Sequence, residues 1–438
     1  MLIIMSTSNI KHDATENHTS PSAIDDEYTV YQRRWIVLIL YVLFCICNAM
    51  QWIQYAIISD IIMTYYDVTL SAVVWTSAVW MLVYIILVLP ATWLLNNKGL
   101  RFVLILGQVC NCLGAWIKVV SATSPDLFWL TFIGQTVVST AQVYVMSTPA
   151  AVAATWFGPK QVSTACAIGV FGFMIGNGLG SLIPPLMVKK HEGEFDQIHE
   201  IGNDLSVMFY TVAGFATVLL VLLIVFLEDR PPRPPSAAQA NRCHRAGIDL
   251  GGETPREFVQ AIRRVLRNRN FFYLVIAYGM MVGVFSAIMT FLNQMILEHH
   301  YQNGMVFAGN IGATFIIFGL IGAIFVGIIL DRTHKYKETC FVLYIMACVG
   351  SIGLTLLLSF ECPKYSIYMV AAVIGFFMIG YLPSGYEFGA ELTYPEAEAT
   401  SAGVLSLSTQ VFAFLFTLIY SVIFHGDQGN DSASNGAM

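Results

Sequence analysis

The sequence predicts an all-α membrane protein made of two helical bundles. Three observations predict it. Of the 438 residues, 56% are hydrophobic and only 11% are charged, whereas a soluble domain carries about 25% charged residues. Eleven apolar runs are each long enough to cross a bilayer as a helix, which takes roughly 20 residues. One long polar segment, Glu228 to Asn270, separates six of these runs from the other five. Six helices, a central loop and a second set of helices is the layout of a transporter with two bundles.

The elements follow in chain order. Residues 1–30 are polar and acidic-leaning after a short apolar start, so they read as a disordered cytoplasmic tail with no secretory signal. The sequon Asn17-His18-Thr19 is usable only if this tail is lumenal. The runs lie at 35–59, 68–95, 102–122, 127–152, 162–188 and 205–227, then at 271–297, 305–330, 339–360, 365–386 and 400–424. The expected domains are an N-terminal six-helix bundle over 31–228, a cytoplasmic linker over 229–270 and a C-terminal bundle of five helices over 271–424. A polar tail over 425–438 carries nothing that can span. With the N-terminus inside, eighteen of the 22 Lys and Arg fall on inner-side segments, which is the positive-inside pattern and sets a cytoplasmic N-terminus. Lys98-Gly99-Leu100-Arg101 and Asp331-Arg332 sit at corresponding places in the two halves and read as latches at the inner helix ends.

Within the linker, Pro231-Pro232-Arg233-Pro234-Pro235 must be extended. Thr254-Pro255-Arg256-Glu257 then opens a helix, with Thr254 as cap, Pro255 in the first position and Glu257 completing a capping box. Phe258, Ile262 and Leu266 line one face, and Arg256, Arg263, Arg267 and Arg269 surround the other. This pattern suits a helix lying on the cytosolic leaflet.

The candidate site begins in the first run. Asn48, Trp52, Tyr55 and Ser59 fall on one face at helical spacing. Such a stripe at membrane depth is either a cavity wall or polar glue between helices. Gln135, Ser139 and Gln142 form a similar stripe on the fourth run, and Ser406, Gln410 and Thr417 on the eleventh. The seventh adds Tyr278, Phe285, Ser286, Asn293 and Gln294. These stripes favour the cavity wall.

Charge is expected to be absent from the helix interiors: Asp60 and Lys118 are read at outer helix ends, and Glu387 near an inner end. A neutral, aromatic, amide-rich cavity can hold a cation on the face of Trp52 and a hydroxyl on Gln142 and Gln410. The expected ligand is a small organic cation, with no chemistry performed on it and no cofactor, metal or nucleic acid involved. Glycines at 169, 172, 176, 178 and 180 lie in a membrane helix and serve close packing rather than phosphate binding. The nine Cys match no zinc or disulfide framework and read mostly as small buried hydrophobes.

Several stretches resemble one family. They are Tyr31-Gln32-Arg33-Arg34-Trp35, Asn48-Ala49-Met50-Gln51-Trp52-Ile53-Gln54-Tyr55, Asn111-Cys112-Leu113-Gly114-Ala115-Trp116-Ile117-Lys118 and Trp156-Phe157-Gly158-Pro159. Val162-Ser163-Thr164-Ala165-Cys166, Leu292-Asn293-Gln294-Met295-Ile296-Leu297 and Gly380-Tyr381-Leu382-Pro383 join them. From about Tyr31 to Tyr420 the chain resembles the feline leukaemia virus subgroup C receptor family of the major facilitator superfamily. The resemblance implies a monomeric plasma-membrane carrier of choline and ethanolamine, also described as a haem transporter, with Trp52 as cation–π platform and Gln142 and Gln410 lining the pocket. The candidate substrate-binding residues are therefore Trp52, Gln142, Gln410, Asn48, Tyr55, Tyr278 and Ser286. Ser286 stands where the family places a pocket tyrosine, so either the aromatic cage is one ring short or Tyr278 and Phe285 substitute for it. The family has twelve helices, and this chain is expected to lack the last.

Two other readings stay open. Haem or porphyrin export predicts axial ligands in the cavity, yet the nine His all lie outside the deep helix cores. A transport-inactive membrane protein acting as receptor or partner is the third.

Overall fold

The computed structural model describes residues 31–158, 161–189, 197–233, 255–297, 304–333, 335–360, 363–393 and 398–435, all of them helix or short connection. The helices are α1 Arg33–Ile53, α2 Ser59–Tyr66, α3 Leu70–Lys98, α4 Leu100–Ser121, α5 Phe128–Ser147, α6 Pro149–Trp156 and α7 Val162–Met187. They continue with α8 Gln197–Phe226, α9 Pro255–Leu266, α10 Arg269–Leu297, α11 Gly304–Thr333, α12 Tyr336–Ser359, α13 Lys364–Thr393 and α14 Glu398–Asn435. Among the described residues, ten helical spans are long and apolar enough to cross a membrane. The pair α5–α6, bent by 48° where Pro149 opens a new helix, makes eleven.

The outward faces are apolar: Ile39, Ile86, Val218, Val225, Phe341 and Ile352 are all exposed. Asn48, Gln51, Gln108, Asn111 and Gln135 are buried. Polar inside and apolar outside is the distribution a lipid solvent imposes.

In the first bundle α1 packs on α7, and α4 packs on both α5 and α8; in the second, α11 packs on α13, and α10 on α14. The α1–α7 seam depends on glycine. A Cβ at Gly180 would lie 2.6 Å from the Met50 carbonyl, and one at Gly176 would lie 2.8 Å from that of Ile46. Only hydrogen at these positions lets the backbones approach so closely.

The bundles meet through α7 with α11 and α3 with α14. Ser71 and Ser421 lie hydroxyl to hydroxyl at 3.3 Å, and Trp75 meets Phe414 edge-on at 6.0 Å. Asn293 donates to Ser59 Oγ and to Asp60 Oδ1, both at 3.1 Å, and Gln294 donates to Ser59 Oγ at 2.9 Å. All of these contacts lie at one end of the spans. The opposite end carries Arg33, Arg101 and Arg263. There Arg33 pairs with Glu228 at 2.8 Å, and Asn268 bonds the Leu392 carbonyl at 2.8 Å, each contact staying within its own bundle or the chain adjoining it.

Several expectations need adjusting. The latch after α3 works through Asp229, which accepts the Arg101 backbone N–H at 3.1 Å, while the Arg101 guanidinium bonds the Ile224 carbonyl at 3.2 Å. Gly99, at φ +84°, makes room for that carboxylate. The side chain of Asp331 lies outside the described residues. The linker helix starts at Pro255 as expected, but its cap Thr254 and the side chains of Arg256, Glu257 and Phe258 lie outside the described residues. Among its described side chains Val265 is buried and Leu266 exposed, because α9 packs against α10 and α14. The segment expected as a polar tail is helical as far as Asn435; no proline interrupts it, so the backbone hydrogen bonds run on from the last span.

Candidate functional site

Two of the polar stripes converge between the bundles. Gln142 on α5 and Gln410 on α14 are both buried, and both donate an amide N–H to the Met146 sulfur, at 3.8 and 3.7 Å. A thioether is a weak acceptor, so these bonds are readily exchanged for better ones. Gln142 Oε1 has no hydrogen-bond partner among the described residues. Nearby on α14, the Thr417 hydroxyl reaches Met81 Sδ of α3 at 4.0 Å. Met146 was not singled out in the sequence, although its place one turn after Gln142 was a signal that could have found it.

Trp52 ends the last turn of α1 at 9% exposure. Its indole N–H also lacks a partner. A buried polar group left unpaired costs about 1–3 kcal/mol. The indole N–H calls for an acceptor and Gln142 Oε1 for a donor.

The other candidates make contacts within the helices, although Asn48 Oδ1 and the Tyr55 hydroxyl have no hydrogen-bond partner among the described residues. Asn48 is fully buried and donates to Asn111 Oδ1 at 3.3 Å and to the Val138 carbonyl at 3.2 Å. Its side chain therefore fastens α1 to α4 and α5. Tyr55 is buried between the Phe209 ring, 5.8 Å away, and the Lys118 ammonium, 5.8 Å from its own ring centre. The face expected to run from Asn48 through Ser59 assumed one unbroken helix. In fact α1 stops at Ile53, a 3₁₀ turn covers Ala56–Ile58, and α2 starts at Ser59, so the stripe does not continue. Tyr278 donates to the Leu382 carbonyl at 3.2 Å and stacks with Tyr381 and Tyr386 at 5.5 and 5.3 Å, inside the α10–α13 seam. Phe285 turns to Phe315 of α11, 6.2 Å away. Ser286 is buried on α10, and its carbonyl accepts the Thr290 hydroxyl at 2.8 Å.

The expectation that no charged group lies deep is overturned by Lys118. It is 1% exposed, and its ammonium donates to Gln51 Oε1 at 2.7 Å and to Gln135 Oε1 at 3.0 Å. The position near the end of α4 looked peripheral along the chain. The helix nevertheless turns that face into its own bundle, where amide oxygens replace water around the ammonium.

Comparison with known proteins now bears on this geometry. Residues 37–417 match the Major Facilitator Superfamily. The choline/ethanolamine transporter flvcr2b of Danio rerio is 43% identical over 392 residues, which is 90% of this chain and 78% of the relative. The chain belongs to the FLVCR family of the major facilitator superfamily. The human choline/ethanolamine transporter FLVCR2 is 42% identical over 89% of this chain and 72% of its own length. In Caenorhabditis elegans, an uncharacterized MFS-type transporter is 40% identical over 91% of this chain and 66% of its own length. Among solved structures, a bacterial homologue of the lysosomal transporter Spinster superposes with a TM-score of 0.70 at 16% identity, covering 93% of this chain and 86% of that one. As a member of the FLVCR family, the chain is a multi-pass membrane protein with the major facilitator fold.

Proposed function

We propose that this FLVCR-family member carries choline, and ethanolamine with it, across the plasma membrane by alternating access. The observation that carries the reading is the meeting of Gln142 and Gln410, one from each bundle, on Met146. A ligand held by both glutamines bridges the two bundles, so its binding is felt by both. Trp52 supplies an aromatic face for the ammonium, worth about 0.5–2 kcal/mol, and the unpaired Trp52 N–H and Gln142 Oε1 suit the hydroxyl of choline. The names of the relatives support the same substrates.

The basic end is assigned to the cytosol by the positive-inside rule, with the N-terminus on that side. The Ser71–Ser421, Asn293–Ser59 and Gln294–Ser59 contacts between the bundles then lie at the outer end. A cation moving inward gains about 2.3 kcal/mol per charge per 100 mV of membrane potential, enough to drive uptake without a coupled ion. Radiolabelled choline and ethanolamine uptake in cells, with and without depolarisation, tests the proposal. Saturable, depolarisation-sensitive uptake that Trp52→Ala abolishes at normal surface abundance is expected. Unchanged uptake by Trp52→Ala would remove Trp52 from the site, and saturable haem transport without amine uptake would favour the porphyrin reading.

A further inference from the structure

Lys118 sits behind the pocket wall, at a node that joins four helices. Its ammonium donates to Gln51 Oε1 on α1 and Gln135 Oε1 on α5. An ammonium has donors only, so both glutamines must turn their oxygens toward it and their N–H groups away. The consequence is visible on each side. Gln135 Nε2 donates to the Gln51 backbone carbonyl at 3.1 Å and reaches the Thr76 carbonyl of α3 at 3.5 Å. Gln51 Nε2 donates to the Cys47 carbonyl at 3.0 Å and to Asn111 Oδ1 at 2.9 Å. Gln51 is adjacent to Trp52, in the last turn of α1. The final carbonyls of a helix lack an N–H donor from within it, and there Gln135 supplies one.

We infer that Lys118 is a positioning residue for the substrate pocket. By orienting the amides of Gln51 and Gln135 it fixes the broken end of α1, and through that end the direction in which Trp52 presents its ring. No contact between Lys118 and substrate is involved. An apolar side chain at 118 would leave the buried Gln51 and Gln135 amide oxygens without their donor, at a cost of about 1–3 kcal/mol each, and would loosen the node that holds the end of α1. The end of α1 would then sample several arrangements, only some of which present the indole to the ligand.

This inference rests on the reading of Trp52 as part of a choline site. The test measures saturable choline uptake in cells for the full chain, normalised to surface abundance. Lys118→Met is expected to raise KM by roughly 5- to 10-fold with Vmax per surface copy held within about twofold, the signature of lost substrate binding rather than lost turnover. Lys118→Arg keeps the donors and should recover part of the affinity. In a Trp52→Phe background Lys118→Met should raise KM much less, because coupled residues are non-additive. If Lys118→Met is retained inside the cell, Gln135→Leu carries the same expectation, since it removes the N–H on the Gln51 carbonyl and leaves the lysine in place. An unchanged KM in both variants, or effects that simply add to Trp52→Phe, would overturn the inference. The absence of saturable choline uptake by the unsubstituted protein would instead overturn the substrate reading on which it rests.

Discussion

At the scale of single residues, the proposed site is built on amides that share an acceptor. Gln142 and Gln410 approach the same sulfur from opposite bundles, so each limits where the other can point. Replacing either by Leu removes one polar contact to the ligand. Replacing both should cost less than the sum, because residues linked through a common partner show interaction energies of about 0.5–3 kcal/mol. A double-mutant cycle on the KM of choline uptake measures this, and strict additivity would show that the two side chains do not act on one ligand. Position 286 is a second point at this scale. A tyrosine expected from the family resemblance is replaced by Ser286, and Tyr278 and Phe285 do not fill in for it, because their rings are packed on α13 and α11. In the proposed site the aromatic contribution then falls mainly on Trp52.

At the scale of elements, the junction between α3 and α4 shows how little freedom the chain has at its turns. Gly99 has φ +84° and ψ 172°, a region that only glycine occupies easily. A Cβ there would also stand 2.7 Å from an Asp229 carboxylate oxygen. Gly99→Ala is expected to destabilise the folded protein by about 1–3 kcal/mol of backbone strain, with Asp229 pushed off the Arg101 N–H as well. Thermal unfolding of purified protein in detergent should report a lower midpoint, and an unchanged midpoint would mean the turn relaxes at no cost. The break after Ile53 is the element-level counterpart at the site. It ends α1 just beyond Trp52, and a 3₁₀ turn over Ala56–Ile58 leads into α2.

At the scale of the whole molecule, the two bundles touch at the end away from the basic segments, through Ser71 with Ser421 and through Asn293 and Gln294 with Ser59 and Asp60. Alternating access requires these contacts to part in every cycle. A pair of cysteines at 71 and 421 is close enough for a disulfide if the backbones keep their spacing. Oxidised Ser71→Cys/Ser421→Cys protein should therefore lose uptake and regain it on reduction, while each single variant stays active. Full uptake by the cross-linked protein would show that this end need not open.

The number of spans, the divided layout and the linker helix could be read from the sequence because they depend on local properties: run length, charge and capping. That Gln142 and Gln410 are inward-facing amides could be read for the same reason, since they stand on otherwise apolar helices. Which way each helix turns is a non-local property. Asn48 and Trp52 lie one helical turn apart, yet Asn48 is bonded to α4 and α5 and the Trp52 N–H is not bonded at all. Lys118 looked like a residue at a helix end and proved to be enclosed by Gln51 and Gln135. Met146 looked like an ordinary apolar residue and proved to be the acceptor both pocket glutamines share. Only the tertiary structure decided these roles, because a buried polar group takes its meaning from the partners that helix packing brings to it.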